Sequence, residues 1–125
     1  MAEIRKERRK YKRMNCDFPV YYRFFKCRPQ LSVSCRRKPD ERFTKALNIS
    51  PGGLQIIDDI EIKEGAIIRV VLNIGDKKLS SFTKVKWVRF DKNENICKAG
   101  LEFLYLKSND REFLMNLTGN KNRDN

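Results

Sequence analysis

In the stretch AIIRVVLNI, residues 66–74, Ile68, Val70, Leu72 and Ile74 fall on one face and Ile67, Arg69, Val71 and Asn73 on the other. A period of two residues is the mark of a half-buried β-strand. FPVYYRFF (18–25) is aromatic and β-branched, and Pro19 suits a strand start or an edge. TKALNIS (44–50) and LQII (54–57) flank a Pro-Gly-Gly turn. LSSFTKVKWVRF (79–90) follows a Gly75-Asp76 turn, and CKAGLEFLYL (97–106) follows the polar loop DKNEN. These segments predict about six short antiparallel strands, and such a set hides its edges best by closing into a small barrel.

The period changes near the C-terminus. SNDREFLMNL (108–117) places Phe113, Leu114 and Leu117 on one helical face, which is expected to cover the core. Ser108 or Asn109 is the expected N-cap, with Glu112 completing a capping box from Asn109, and Gly119 suits the C-terminal stop. The predicted organisation is an N-terminal arm over residues 1–17, a barrel with its helix over 18–119, and a disordered tail over 120–125. Residues 24–43 make a long link between the first strands, with a basic CRRK cluster; they read as a solvated extended hairpin or as a docking surface.

Composition narrows the function. The chain has 125 residues, 40% of them apolar, enough for a single modest core. It has no apolar run near the ~18 residues of a membrane span and starts with charges, so a cytoplasmic protein with no stable membrane insertion is expected. Histidine is absent, and Cys16, Cys27, Cys35 and Cys97 form no CxxC pair, which excludes the common zinc sites and any Ser-His or Cys-His nucleophile. The cysteines read as reduced packing residues. Asp58 and Asp59 are adjacent, so on a strand they point to opposite faces, and they read as a solvated loop pair. No metal, cofactor or enzymatic activity is expected.

Charge is unevenly spread. Residues 1–45 hold 15 Lys and Arg against 5 Asp and Glu, whereas residues 46–125 hold 13 against 11. The densest run, EIRKERRKYKR (3–13), lacks apolar anchors and is expected to be mobile. It is either a solvating tail or an arm for an anionic partner. The turn NISPGG (48–53) offers Asn and Ser side chains that bond local amides and two glycines that admit positive φ, a combination suited to phosphate or simply to a turn.

Arm and turn together carry a resemblance. RKYKR (9–13), FPVYYR, NISPGGLQI, KEGAIIRVVL, VKWV and AGLEFLYL resemble the PilZ domain family, whose signatures are RxxxR and [D/N]xSxxG. RxxxR occurs twice, as Arg5/Arg9 and Arg9/Arg13, and the second has the family's distance to the first strand. The resemblance implies a six-stranded antiparallel barrel with a C-terminal helix and a receptor for the bacterial second messenger cyclic di-GMP. The implied ligand-binding residues are Arg8, Arg9, Arg13, Asn48, Ser50 and Gly53, with Gly100 structural. A basic residue at Arg8 implies an intercalated ligand dimer. Ligand-driven ordering of the arm would then signal to a protein effector. The chemistry is compatible: arginine forks match guanine O6 and N7, and guanidinium planes stack on bases.

The alternative is a basic barrel that binds single-stranded nucleic acid, which combines a positive groove with spaced aromatic platforms. Here the aromatics cluster in FPVYYRFF. Trp87 reads as a packing residue of the barrel.

Overall fold

The computed structural model describes residues 11–24 and 41–120. Seven strands and one helix follow in order: β1 (Met14–Asn15), β2 (Pro19–Phe24), β3 (Arg42–Ser50), β4 (Gly53–Asp58), β5 (Ile67–Ile74), β6 (Lys77–Asp91), β7 (Ile96–Phe103) and α1 (Ser108–Leu117). All pairings are antiparallel. The hydrogen-bonded order β3-β2-β5-β6-β7-β4 closes through a β3–β4 pairing into a six-stranded barrel, as expected, while β1 lies along β3 beyond the end of β2. The sequence reading gave β1 to the arm. The structure seats it on the barrel, with Met14 opposite Ile49 and Asn15 opposite Asn48.

The alternation read in β5 is present residue by residue: Ile68, Val70 and Leu72 are fully buried and Ile74 nearly so. They meet Val20, Tyr22, Ile49, Ile56, Leu79 and Val85 from the other strands. At about 1.5–3 kcal/mol for each large apolar side chain removed from water, this interior supplies most of the drive to close the barrel. Leu114 is fully buried, with Phe113 and Leu117 packed beside it, so α1 covers the core as predicted.

Two strands break step. Between Ala46 and Asn48, β3 carries one residue more than β4; between Val85 and Trp87, β6 carries one more than β7. Each bulge reverses the phase of the alternation beyond it. Phe43 and Lys45 point outward before Leu47; after it Ile49 is fully buried and Asn48 and Ser50 take the outer side. In β6, Val85 points inward before Lys86, and after it Val88 packs on the core while Trp87 and Arg89 face out.

The helix termini differ from expectation at one end. Lys107 is the N-cap, in extended conformation, and no side chain caps the helix. Ser108 already lies inside the first turn, where the buried Asp110 meets Lys77 at 2.8 Å instead. An acid in the first turn is stabilised by the helix dipole without a capping box. The other end is as predicted: Gly119 has φ +76°, with Gly119 N–H bonding the Asn116 carbonyl and Asn120 N–H that of Met115, a Schellman pair.

The Asp58-Asp59 pair is not a solvated loop. Asp58 ends β4 with its side chain 8% exposed, accepts from Tyr22 Oη at 2.5 Å and from Arg42 Nε at 2.9 Å, and leaves only Asp59 exposed, itself bonded to Arg42 at 2.9 Å. The barrel curvature turns the end of β4 toward β2 and β3, which adjacency in sequence could not reveal. Burial works to raise the Asp58 carboxyl, but the bonds from Arg42, Tyr22 and the Asp59 amide outweigh it and hold it at about 2. Burial and the same carboxylate push the Tyr22 hydroxyl well above its usual value. Cys97 is a buried free cysteine and Cys16 a half-buried one whose thiol burial pushes up, which fits packing roles; Cys27 and Cys35 lie outside the described residues.

A carboxyl depressed in the folded state stabilises above its unfolded pKa and loses that contribution as pH falls toward its folded value. Denaturant titrations should therefore show the wild type losing on the order of 2 kcal/mol from this group between about pH 5 and pH 2. Asp58→Asn should start less stable at pH 7 and fall less over that range. An identical pH dependence in both proteins would remove Asp58 from this role.

Candidate functional site

The two bulges act on one wall of the barrel. On its outer side a row crosses five strands: Asn15 of β1 opposite Asn48 of β3, Asn48 opposite Gln55 of β4, Gln55 opposite Gly100 of β7, and Gly100 opposite Trp87 of β6. The adjacent row runs Ser50, Gly53, Glu102 and Lys84. The β1–β3 register, carried on by one residue, brings Arg13 opposite Ser50. Arg13 is exposed and, among the described residues, without an ion pair or hydrogen bond. Arg8 and Arg9 lie outside the described residues.

Each polar group on this wall is held in place. Asn48 Nδ2 donates to Gln55 Oε1 at 2.7 Å, leaving the Asn48 carbonyl oxygen and the Gln55 amide nitrogen for a further partner. Ser50 Oγ accepts the Gly52 N–H at 3.1 Å, and its residue is only 8% exposed, so the hydroxyl currently stabilises the turn. Neither Gly52 nor Gly53 has positive φ, which removes one reason offered for them. Gly53 has a different one: a Cβ there would sit 2.0 Å from the Leu101 carbonyl oxygen, because the turn is drawn onto β7, where Phe103 N–H bonds the Gly52 carbonyl at 3.0 Å.

Gly100 makes room of another kind. A Cβ would meet the Trp87 indole at 2.1 Å, so the ring lies across the glycine on the outside of the barrel. Trp87 thus packs on the barrel from its outer side, where it is half-buried. The Arg89 guanidinium stands 5.7 Å from its ring centre. Arg13, Lys84, Lys98 and Arg89 make this wall positive, with Glu102 the opposing charge and itself 3.5 Å from Lys86. An aromatic plane, two amides able to read a base edge, and flanking cations can bind a nucleotide.

The segment just before β1 is tied to the helix. Arg111 bonds Tyr11 Oη at 2.5 Å and lies over its ring; Lys12 N–H donates to Asn120 Oδ1 at 3.0 Å, and Asn120 Nδ2 to the Lys12 carbonyl at 3.2 Å. Gln55, Trp87, Tyr11, Lys84, Lys98 and Arg89 are residues of this neighbourhood that the sequence alone did not assign to a site. Gln55 could have been found, since it is two residues from Gly53 on the same strand face; Trp87 could not, because its side depends on the bulge at Lys86.

Comparison with known proteins agrees with this architecture. The family profile described as PilZ domain matches residues 7–119. Among solved structures, the inhibitor of motility MotI/DgrA of Bacillus subtilis superposes with a TM-score of 0.68 at 20% identity, covering 89% of this chain and 49% of that one. The PilZ domain of YcgR from Escherichia coli, solved with c-di-GMP, gives 0.64 at 12% identity, covering 90% and 89%. MrkH, described as a c-di-GMP-dependent transcription regulatory factor, gives 0.63 at 13% identity, covering 88% and 49%. The chain therefore spans about half the length of MotI/DgrA and MrkH. No curated protein matches the sequence. Among the described residues no helix is long and apolar enough to cross a membrane and no group of side chains could hold a metal ion.

The two turn glycines separate cleanly in a stability test. Gly53→Ala must push Cβ into a backbone carbonyl and should cost about 1–3 kcal/mol in urea unfolding. Gly52→Ala, whose Cβ would come to 3.4 Å from the Tyr11 ring, should cost far less. Equal effects would show that the turn does not depend on its approach to β7.

Proposed function

The chain belongs to the PilZ domain family, and on that premise we propose that it is a non-catalytic receptor for cyclic di-GMP that passes the signal to a protein effector. The observation that carries the proposal is the shared wall: Asn48, Ser50 and Gly53 of NxSxxG stand in register with the last arginine of RxxxR, Arg13, on the outside of the barrel. In this reading Arg9 and Arg13 fork onto guanine O6 and N7 and onto phosphate. Asn48 and Gln55 present amide groups to a base edge, Trp87 offers a stacking plane, and Lys84, Lys98 and Arg89 neutralise phosphate charge. Ser50 contributes its remaining donor, and Gly53 keeps the turn against β7. Arg8 stacks on a second ligand of an intercalated dimer. Arg8 and Arg9 precede the anchored Tyr11–Asn15 segment, so a ligand that spans both sets draws the arm onto the wall and creates a new surface for the effector.

Calorimetric titration tests the reading directly. Cyclic di-GMP should bind far more tightly than cyclic di-AMP, because adenine places a donor where guanine has O6. Arg9→Ala and Arg13→Ala should each lower affinity at least tenfold, the loss of charge-assisted hydrogen bonds worth about 1.5–3 kcal/mol, with unfolding midpoints near wild type. Ser50→Ala should cost less. Equal affinity for both dinucleotides, or length-dependent oligonucleotide binding with a steep salt slope, would reject the assignment.

Stoichiometry is a separate matter. Two ligands per chain are expected for wild type and about one for Arg8→Leu; one in both would leave Arg8 without the stacking role.

A further inference from the structure

The wall opposite the nucleotide-binding face carries an arrangement that folding does not explain. In the ring of six strands β2 and β5 stand diametrically across from β7 and β4. On their outer side Arg23 and Arg69 are directly opposite each other. Like charges in that position destabilise a sheet. Both residues are half-buried, and among the described residues neither has an ion pair or hydrogen bond. Glu41 is the carboxylate that the β2–β3 register brings toward Arg23, and it is exposed and forms no ion pair with it. One step along the same face, Tyr21 stands opposite Phe43 and Val71, the two rings 4.8 Å apart and 40% and 61% exposed.

We propose that this face of β2, β3 and β5 is a docking surface for an acidic segment of a partner protein, with carboxylates on the Arg23–Arg69 pair and an apolar side chain on Tyr21 and Phe43. Paired guanidiniums beside exposed aromatics are the residue types that dominate protein–protein hot spots. The unmatched charge identifies the missing partner as an anion, since forked donors take carboxylates bidentately. A second copy of this chain does not fit: its formal net charge is +12, and a two-fold contact would set arginine against arginine. A nucleic acid fits less well, because Tyr21 and Phe43 pack on each other at 4.8 Å, tilted 47°, and are not spaced as separate platforms for successive bases. The two surfaces share β3 but use its opposite ends, Phe43 near the start and Asn48 and Ser50 at the finish, so both can be occupied together.

The test is a selection of phage-displayed random 16-residue peptides on the full chain. Recovered peptides are then synthesised and measured by fluorescence anisotropy, beside a 15-residue oligo-dT. Peptides rich in Asp and Glu next to an aromatic or aliphatic residue are expected. They should bind Arg23→Gln/Arg69→Gln and Phe43→Ser at least tenfold more weakly, while Lys63→Gln/Lys92→Gln, with the same loss of net charge in exposed loops, binds as wild type. Urea unfolding supplies a second readout: relieving the like-charge pair should leave Arg23→Gln/Arg69→Gln as stable as wild type or more so. The proposal is overturned if no peptide depends on these residues, if the Lys63/Lys92 control loses as much, if oligo-dT is what the double variant fails to bind, or if the double variant is destabilised.

Discussion

Two extra residues, Leu47 in β3 and Lys86 in β6, govern what this barrel shows to solvent. A strand that keeps strict alternation cannot present Lys45 and Asn48 on the same side, nor Lys84 and Trp87. With one inserted residue it can, and the cost is local: the spare Leu47 carbonyl is taken by the Cys16 N–H at 3.0 Å. Without the β3 bulge, Ile49 would turn outward and Asn48 and Ser50 would enter an interior that offers them no partners. Losing the burial of Ile49 alone is worth about 1.5–3 kcal/mol, and each unsatisfied polar group about 1–3 more. Core packing thus enforces the bulges, and the bulges place the polar wall.

The same logic explains why the two glycines on this wall are not interchangeable with those in the turns. Gly75 and Gly119 serve backbone conformation, with φ of +63° and +76° and open space around them. Gly53 and Gly100 serve proximity, one toward the backbone of β7 and the other toward the indole of Trp87. A glycine that admits an aromatic ring across the strand keeps the sheet covered where it lacks a side chain. It also sets the ring against the wall at Gly100. Rigidity there comes from packing with the interior behind it, while the far end of the barrel is held by charge, through Tyr22, Asp58 and Arg42.

What the sequence made legible follows from how local each signal is. The β5 alternation, the helix face of Leu114 and the stop at Gly119 depend on neighbours within a few residues, and all three stand in the structure. NxSxxG was legible as a motif but not in its mechanics, since the reason for Gly53 lies in Leu101, far along the chain. Asp58 was misread because its partners Tyr22 and Arg42 come from other strands. The side of the barrel on which Trp87 packs was not legible, because a bulge leaves no trace in composition. The Arg23–Arg69 apposition was invisible for the same reason that makes it informative: cross-strand register is a property of the closed barrel and of no single segment.

The anchored stretch from Tyr11 to Asn15 bears on how strongly the polar wall can hold an anion. Fixing a residue's backbone costs about 1–2 kcal/mol. Had Arg13 belonged to a free arm, an anion would have to offset that cost for Arg13 and for every residue linking it to the barrel. Instead Tyr11 is held by Arg111, Lys12 by Asn120 through paired bonds, and Met14 and Asn15 by β3, all within the protein itself. The backbone of Arg13 is therefore pre-organised by folding, and an anion that meets it has only side-chain freedom to restrict there.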